Sequence, residues 1–249
     1  MSDAAERPGK LRAGRTVTGR RRMRRTLSAT AVELFLARGY EATTVDEIAE
    51  SAGVGRRTFF RYFRSKEDAI FPDHDETLAM VEKFFAEVEP GTEPLRAVCQ
   101  AAELVLGTYV EDPDLSRKRF QLTRTVPSLR DKEIASIDQY QRSFARFLRR
   151  HLGERSDAVL KAAVAAAAVV AAHNQVLRDW LKNGARDDVQ AAIRRALSFV
   201  EDSLAASLDT HTPAVPGERD EVLVALVRTG ASLHSVLEQF EDAAKRLDG

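Results

Sequence analysis

The chain has 249 residues, of which 44% are hydrophobic, and its 38 Lys and Arg are balanced by 38 Asp and Glu. This composition is typical of a soluble globular protein with one large domain or two moderate ones. Cys99 is the only cysteine, which excludes a disulfide framework and a cysteine-based zinc site. The sequence has neither an apolar run of about 18 residues nor an apolar segment behind its first charges, so we expect a cytoplasmic protein without a membrane span or secretory signal.

The zero net charge hides an asymmetry along the chain. Residues 1–66 contain fifteen Lys or Arg and seven Asp or Glu, a net charge of +8, so the other 183 residues carry −8. A basic first part on an acidic remainder predicts that the first part meets a polyanion. The alternative is a disordered basic tail without a partner, but the arginines continue as far as Arg64, well beyond any tail.

Helical periodicity begins near Gly19 and continues almost to the end, with no competing strand pattern. Pro72 predicts a kink or break in the fourth helix. The predicted helices cover residues 20–38, 45–52, 56–63, 66–88, 93–110, 114–125, 127–151, 156–183, 187–208 and 219–247. The predicted parts of the chain are a disordered tail (1–18), a small helical domain (19–65), a larger helical bundle (66–208), a linker (209–219) and an extra C-terminal helix (220–249).

The most informative pattern lies in residues 43–66, TTVDEIAESAGVGRRTFFRYFRSK. Thr44 and Glu47 are spaced as a capping box at the start of a short amphipathic helix. Gly53 then allows a sharp turn into a helix rich in arginine and aromatic residues. This order of elements predicts a helix-turn-helix that binds DNA. The alternative is a solvated charged face on an ordinary small helical domain.

The third helix has two different faces. Phe59 and Phe63 are four residues apart and are predicted to point inward. The outer face carries Arg57, Phe60, Arg61 and Arg64. Arginine can donate two hydrogen bonds to O6 and N7 of guanine, and a Phe ring can pack against a thymine methyl group. The outer face therefore suits the major groove, and the arginines at the start of the first helix suit phosphates or the minor groove.

The run from residue 33 to residue 68, ELFLARGYEATTVDEIAESAGVGRRTFFRYFRSKED, resembles the N-terminal domain of the tetracycline-repressor (TetR) family. The resemblance is close over residues 31–69, and beyond them the chain resembles the family only in its number of helices. Gly55 stands where the family usually has Ser or Thr, which removes one helix cap or phosphate contact. Together, the pattern and the resemblance predict DNA contacts by Arg24, Arg25, Thr43, Thr44, Arg56, Arg57, Thr58, Phe60, Arg61, Tyr62 and Lys66.

The resemblance also implies a homodimer on two half-sites of a double-stranded DNA operator, joined through the helices at 156–183 and 187–208. The residues agree, because the small side chains of Ala162–Ala172 would let two helices approach closely. A second apolar seam consists of Val189, Ile193, Leu197, Val200 and Leu204. The alternative is that both features form the internal core of one chain.

Ligand sensing is the usual trigger in the family. Polar and aromatic groups on apolar helices can orient a ligand, and the candidates are Tyr109, Phe120, Arg124, Tyr140, Phe144, His173 and Asn174. Arg119 and Arg178 are further polar groups there, and a lone buried His or Asn is more often a satisfied core residue. The run Arg117–Leu129 resembles a segment of actinobacterial TetR regulators thought to sense acyl-CoA-like molecules, and an arginine there would suit a phosphate or carboxylate.

We therefore expect an all-α protein in which a three-helix helix-turn-helix DNA-binding domain precedes a larger helical ligand-binding and dimerisation bundle. Its expected role is that of a bacterial, nucleoid-associated homodimeric repressor, released from a palindromic operator by an acyl-CoA-like or other hydrophobic effector. An activator or a ligand-independent DNA-binding regulator is the alternative. No enzyme is expected, because the five histidines are dispersed and no catalytic grouping stands out. No cofactor or metal is expected, since the adjacent Asp73, His74 and Asp75 cannot easily converge on one ion.

Overall fold

The computed structural model of the protein describes residues 17–71 and 74–208, which belong to one compact unit. All regular secondary structure in these ranges is helical, which confirms the predicted all-α fold. The helices are α1 (Val17–Arg38), α2 (Val45–Ser51), α3 (Arg56–Tyr62), α4 (His74–Ala86), α5 (Pro94–Val110), α6 (Pro113–Thr125), α7 (Pro127–Leu152), α8 (Ala158–Lys182) and α9 (Val189–Leu208). We call α1–α3 the head and α4–α9 the body.

Most helix boundaries lie within a few residues of the predicted ones. Helix α1 begins at Val17, so the last two residues of the predicted disordered tail are helical. The predicted linker at 209–219 and the helix predicted at 219–247 lie outside the described residues, as does the rest of the predicted tail.

The fourth helix differs from the prediction, because it begins at His74 and not at residue 66. The hydroxyl of Ser65 does accept the backbone N–H of Asp68, at 3.3 Å. The residues that follow form only a turn, in which the Ile70 N–H donates to the Glu67 carbonyl at 3.0 Å. A proline at position 72 explains the break, since it disfavours a helical conformation at the preceding residue.

Local chemistry explains several helix ends. Asp112 caps α6 by accepting the backbone N–H of Leu115 at 3.0 Å. Gly39 follows α1 with a φ of 90°, and its N–H donates to the Phe35 carbonyl at 3.0 Å, as expected of a C-terminal cap. Proline, whose missing N–H costs nothing in the first turn, opens three body helices, at Pro94, Pro113 and Pro127.

The body buries one large apolar core among α4, α5, α7, α8 and α9. Phe85 stacks on Phe147 with ring centroids 4.2 Å apart. The α8 side chains in this core include Ala158, Ala162, Ala165 and Ala166, and their small size lets the neighbouring helices approach closely. Within the described ranges, α8 is the one helix long and apolar enough to cross a membrane, but it packs against α5, α7 and α9 as a core helix does.

A second apolar cluster forms the core of the head and extends to two helices of the body. Phe35 of α1, Ile48 of α2 and Phe59 of α3 are at most 2% exposed and pack together there. Leu122 of α6 and Leu129 of α7 belong to the same cluster, at 3% and 0% exposure. Two body helices therefore complete the core of the head.

Helix α9 corrects the predicted dimer seam. Of the seam residues, Val189, Ile193, Leu197 and Val200 are buried in the core of the single chain, and Leu204 packs against it. The reason is that α9 lies on α5 and α8, which cover its apolar stripe. The exposed large apolar side chains of α8 and α9 are instead Val159, Leu160 and Phe199.

The turn before α3 yields a stability prediction. Gly53 has a φ of 70°, a conformation that costs an L-residue about 1–2 kcal/mol. A Cβ would meet nothing within 4 Å at either Gly53 or Gly55, so Gly53→Ala should lower the free energy of unfolding by about that amount through the backbone alone. Gly55 has a φ of −85° and caps α3 without a side-chain bond, so Gly55→Ser should raise stability by a few tenths of a kcal/mol. Urea denaturation measures both, and equal effects would contradict the backbone explanation.

Candidate nucleic-acid interface and ligand cavity

Helix α3 presents the two faces that its sequence predicts. Phe59 and the residue after the helix, Phe63, are 0% and 2% exposed in the head core. Phe60 is 45% exposed, and Arg57 and Arg61 are also exposed on the outer face. The aromatic side therefore anchors the helix, while the arginine side stays available to a partner.

Neighbouring side chains hold two of the exposed arginines. The guanidinium of Arg56 lies 2.6 Å from the Asp46 carboxylate and 5.3 Å from the centroid of the Phe60 ring. The guanidinium of Arg61 lies 5.2 Å from the centroid of the Tyr62 ring. Contacts of this kind restrict the arginine rotamers, so less entropy is lost when the side chains bind.

The predicted capping box at the start of α2 is confirmed. The Thr44 hydroxyl accepts the Glu47 N–H at 3.3 Å, and the Glu47 carboxylate accepts the Thr44 N–H at 2.8 Å. The Thr44 hydroxyl also lies 2.9 Å from this carboxylate, and the hydrogen bonds that the Thr44 N–H and hydroxyl donate to it hold the pKa of Glu47 below its usual range. Thr44 remains exposed at the first turn of α2, where the helix dipole favours an anion such as a phosphate.

Two other predicted DNA contacts support the loop between α1 and α2. Thr43 is 1% exposed, and its hydroxyl donates to the Gly39 carbonyl at 2.8 Å. The Lys66 ammonium donates to the Tyr40 carbonyl at 2.8 Å and lies 4.1 Å from the centroid of the Tyr40 ring. The side chains of both residues position the loop, unlike those of the exposed arginines.

Arg24 and Arg25 of α1, which the sequence predicts as DNA contacts, form ion pairs with the body. Arg24 lies 3.6 Å from Glu76 of α4 and 5.4 Å from the centroid of the Phe63 ring. Arg25 forms an ion pair with Glu111, between α5 and α6. Both therefore contribute to the junction between head and body, which the charge pattern alone did not reveal.

Asp68 forms a polar link between the end of α3 and the body. Its carboxylate accepts the backbone N–H of Arg64, just after α3, at 2.9 Å, and forms an ion pair with Lys132 of α7. Burial alone would raise the pKa of Asp68, but the hydrogen bonds from Lys132 and Arg64 lower it below its usual range. A second link is the hydrogen bond of 2.8 Å that Arg119 of α6 donates to the hydroxyl of Ser28, which is fully buried in α1.

A cavity lies in the body next to this junction. Its outer chamber has a volume of about 120 Å³ and its inner chamber about 40 Å³. Of the predicted ligand residues, Tyr109, Tyr140 and Asn174 line both chambers, Phe120 lines the outer one, and Phe144 and His173 line the inner one. The predicted ligand residue Arg124 does not line the cavity. It is exposed, and its guanidinium lies 5.6 Å from the centroid of the Phe120 ring. The reason is that α6 turns Arg119, five residues earlier, to the cavity.

The sequence prediction missed several residues that line the outer chamber. Ile70, Phe71 and His74 come from the connection behind the head and the start of α4, and Glu133 comes from α7. No motif marks these positions, and only a predicted break near Pro72 pointed to this segment. Arg119 and Arg178, which the sequence indicated only as further polar groups on apolar helices, both line this chamber.

Burial shapes the electrostatics of the cavity. Burial and the nearby Arg119 guanidinium lower the pKa of His74 to about 4, and its Nδ1 lies 3.2 Å from the Tyr140 hydroxyl. Burial raises the pKa of Glu133, an effect that the positive charge of Arg178 opposes. Burial also lowers the pKa of His173. Both histidines are therefore neutral near pH 7. The described residues contain no group of three His, Cys, Asp or Glu side chains that could hold a metal ion.

Comparisons with known proteins give a consistent result. Residues 27–70 match the model of bacterial regulatory proteins of the tetR family, and residues 92–205 match the MftR C-terminal domain. The chain is 35% identical over 170 residues to the HTH-type transcriptional regulator TcmR of Streptomyces glaucescens, covering 64% of this chain and 74% of TcmR. It is 29% identical over 184 residues to a protein of Mycobacterium tuberculosis named as the mycofactocin biosynthesis transcriptional regulator MftR, covering 74% of this chain and 89% of that one.

Two solved structures share the fold. One is the transcriptional regulator FadR from Bacillus subtilis in complex with stearoyl-CoA, with 18% identity, a TM-score of 0.50, and coverage of 70% of this chain and 96% of FadR. The other is a SmeT–triclosan complex, with 19% identity, a TM-score of 0.54, and coverage of 82% of this chain and all of SmeT.

The Asp68 link predicts a pH-dependent contribution to stability. Because the folded pKa of Asp68 is lowered, its contribution is complete above an unfolded pKa of about 4 and is lost as the pH falls through the folded pKa. Asp68→Asn should therefore lower the free energy of unfolding by about 1 kcal/mol at pH 7 and by progressively less below pH ~4. Asp138→Asn is the matched control, because it removes an exposed carboxylate paired with Arg142 within α7. Urea denaturation from pH 7 to pH 3 tests the prediction, and a loss that does not depend on pH would contradict it.

Proposed function

Because the chain belongs to the tetR family of bacterial regulatory proteins, we propose that it is a homodimeric repressor that binds a palindromic DNA operator and is released by a small molecule. Proteins of this family are DNA-binding transcriptional regulators and not enzymes. The place of action is the bacterial cytoplasm, at the nucleoid. The proposal is carried by Ile70, which is fully buried in the head core and also lines the outer chamber of the cavity. A molecule in that chamber touches the core that positions α3.

The DNA-contacting surface consists of the outer face of α3 and the first turn of α2. Arg57 and Arg61 supply the guanidiniums for guanine edges, and Phe60 supplies an apolar contact for thymine. Thr44 and Arg56 are placed for the phosphates on either side. A three-helix head of this size covers only one half-site, so specificity requires two copies with centres about 34–36 Å apart.

Homodimerisation is assigned to the exposed faces of α8 and α9. Val159, Leu160 and Phe199 are 61%, 65% and 72% exposed. Exposed apolar groups of this size on two adjacent helices favour burial against a second copy. The small side chains of Ala163 and Ala171, which are exposed on α8, permit the close approach of a partner helix.

The effector is assigned to the cavity between head and body. Relatives of the same fold were solved with stearoyl-CoA and with triclosan, which supports a ligand-binding role for the body. Release requires that the effector bind more tightly to a conformation that does not fit the operator. Lys132 and Arg119, together with the ion pair between Lys118 of α6 and Glu33 of α1, are polar links through which a change in α6 or α7 reaches the head. An electrophoretic mobility shift with DNA flanking the gene tests the proposal. Specific binding that no small molecule weakens would favour the alternative of a ligand-independent regulator.

The outer face of α3 gives a prediction on specificity. Arg57→Ala should weaken operator binding by about 10- to 100-fold, since a bidentate arginine–guanine pair contributes about 1–3 kcal/mol. Arg149→Ala is the control, because it removes the same charge from the exposed surface of α7. Mobility shifts on operator and on scrambled DNA separate the effects. Equal losses for both variants, or equal losses on both DNAs, would count against base recognition by Arg57.

The exposed faces of α8 and α9 give a prediction on assembly. Phe199→Asp should raise the dimer dissociation constant by about 30-fold or more, which corresponds to the loss of a central contact of about 2 kcal/mol. Ile134→Asp is the control, because Ile134 is 58% exposed on α7, a helix that is not part of the proposed interface. Light scattering over a concentration series measures the dimer fraction. A Phe199→Asp protein that remains dimeric at the concentrations of the unmodified protein would refute this interface.

A further inference from the structure

The two chambers of the cavity differ in their polar groups. The guanidiniums of Arg119 and Arg178 line the outer chamber and not the inner one. The inner chamber contains the imidazole of His173. The chambers adjoin, because both are lined by His74, Tyr109, Glu133, Ile137, Tyr140, Asn174 and Leu177. One molecule can therefore present a different group to each chamber.

The charges of the outer chamber favour an anion. The guanidiniums of Arg119 and Arg178 both line this chamber, and burial opposes the ionisation of the Glu133 carboxyl beside Arg178. His74 is neutral near pH 7 and adds no charge. Arginine binds carboxylates with strong, directed hydrogen bonds, so a wall with two guanidiniums suits one negative group on the occupant.

The inner chamber favours a hydrogen-bond donor. His173 is 6% exposed, and its Nδ1 lies 3.1 Å from the side-chain oxygen of Asn174. That oxygen accepts, so Nδ1 donates and the lone pair of the neutral ring is on Nε2. This Nε2 is buried and has no hydrogen-bond partner among the described residues. A buried acceptor without a partner costs about 1–3 kcal/mol, which an occupant with a hydroxyl group would recover.

The size and walls of the cavity favour a single aromatic ring. Volumes of about 120 Å³ and about 40 Å³ compare with about 150 Å³ for an apolar cavity that holds benzene in another protein. Aromatic side chains form much of the wall, namely Phe71, Tyr109, Phe120, Tyr140 and Phe144. Ring-to-ring contacts of this kind add to the stabilisation from apolar burial.

We propose that the cavity binds a compact aromatic acid with a ring hydroxyl, whose carboxylate meets Arg119 and Arg178 and whose hydroxyl donates to Nε2 of His173. The role of this molecule as an effector rests on the function proposed above, whereas its binding does not. Arg119 also donates to Ser28 of the head, so the group that recognises the carboxylate is the same group that contacts α1.

Matched probes test the two polar contacts separately. The probes are 3-(4-hydroxyphenyl)propanoate, 3-phenylpropanoate and 3-(4-hydroxyphenyl)propanamide, with the intact chain at pH 7. Titration calorimetry measures binding, and the fluorescence of Trp180, the only tryptophan, which is 5% exposed beside Leu181 of the outer chamber, provides a second signal. Loss of the hydroxyl should weaken binding by about 5- to 10-fold, and loss of the carboxylate by about 10- to 100-fold.

Two variants assign each preference to its residue. In His173→Phe, the hydroxyl preference should vanish and the carboxylate preference should remain. In Arg178→Gln, the carboxylate preference should fall by about 10-fold or more and the hydroxyl preference should remain. Each preference is a ratio measured within one folded variant, so a general loss of stability leaves it unchanged.

Three results would overturn the inference. They are no binding of the hydroxy acid, equal binding of all three probes, or displacement of the hydroxy acid by octanoyl-CoA with a lower dissociation constant than that of the hydroxy acid. Mobility shifts with operator DNA test the proposed function independently. Selective binding of the hydroxy acid without operator release would uphold the ligand class and contradict the effector role. Operator release by a neutral hydrophobic molecule, without the probe preferences, would uphold the repressor and overturn the ligand class.

Discussion

The shared apolar core of the head is the constraint on which the rest of the structure depends. Two of the three head helices, α2 and α3, have only 7 residues each, and Leu122 and Leu129 of the body complete the core of the head. Short helices obtain most of their stability from such packing and little from propensity. The body helices α6 and α7 therefore help to hold the head, of which α3 is a part, because α6 packs on α1 and both helices contribute a buried leucine to the head core.

The cavity wall shares residues with this core of the head. Ile70 belongs to the head core and to the cavity wall, and Arg119 lines the cavity while it donates to Ser28. Packed cores change between discrete arrangements and do not deform continuously. An occupant that repositions α6 or α7 thus has a short apolar and polar path to α3. The two buried, neutral histidines and the two arginines that line the cavity favour an occupant with matching polar groups.

The positive charge of the head is divided between its junction with the body and its exposed surface. The basic excess lies in residues 1–66, and part of it, at Arg24 and Arg25, is engaged with Glu76 and Glu111 of the body. Arg57 and Arg61 remain exposed on α3. Arg20 and Arg22 of α1 are exposed as well, but the outer face of α3 combines its charge with groups suited to base edges, which supports the DNA contact proposed above.

The sequence by itself determined most helices of the described ranges, the Thr44–Glu47 capping box, the two faces of α3 and the family, because these depend on neighbours within a few residues along the chain. Only the tertiary structure decided that Thr43 and Lys66 support a loop, that the stripe of Ile193 and Leu197 is internal core, and that Arg119 and not Arg124 reaches the cavity. The break before α4 likewise brought Ile70 and His74 into the cavity wall. A helix shows which residues share a face, but the helix that covers this face comes from a distant part of the chain, and the periodicity of the sequence carries no information about that partner.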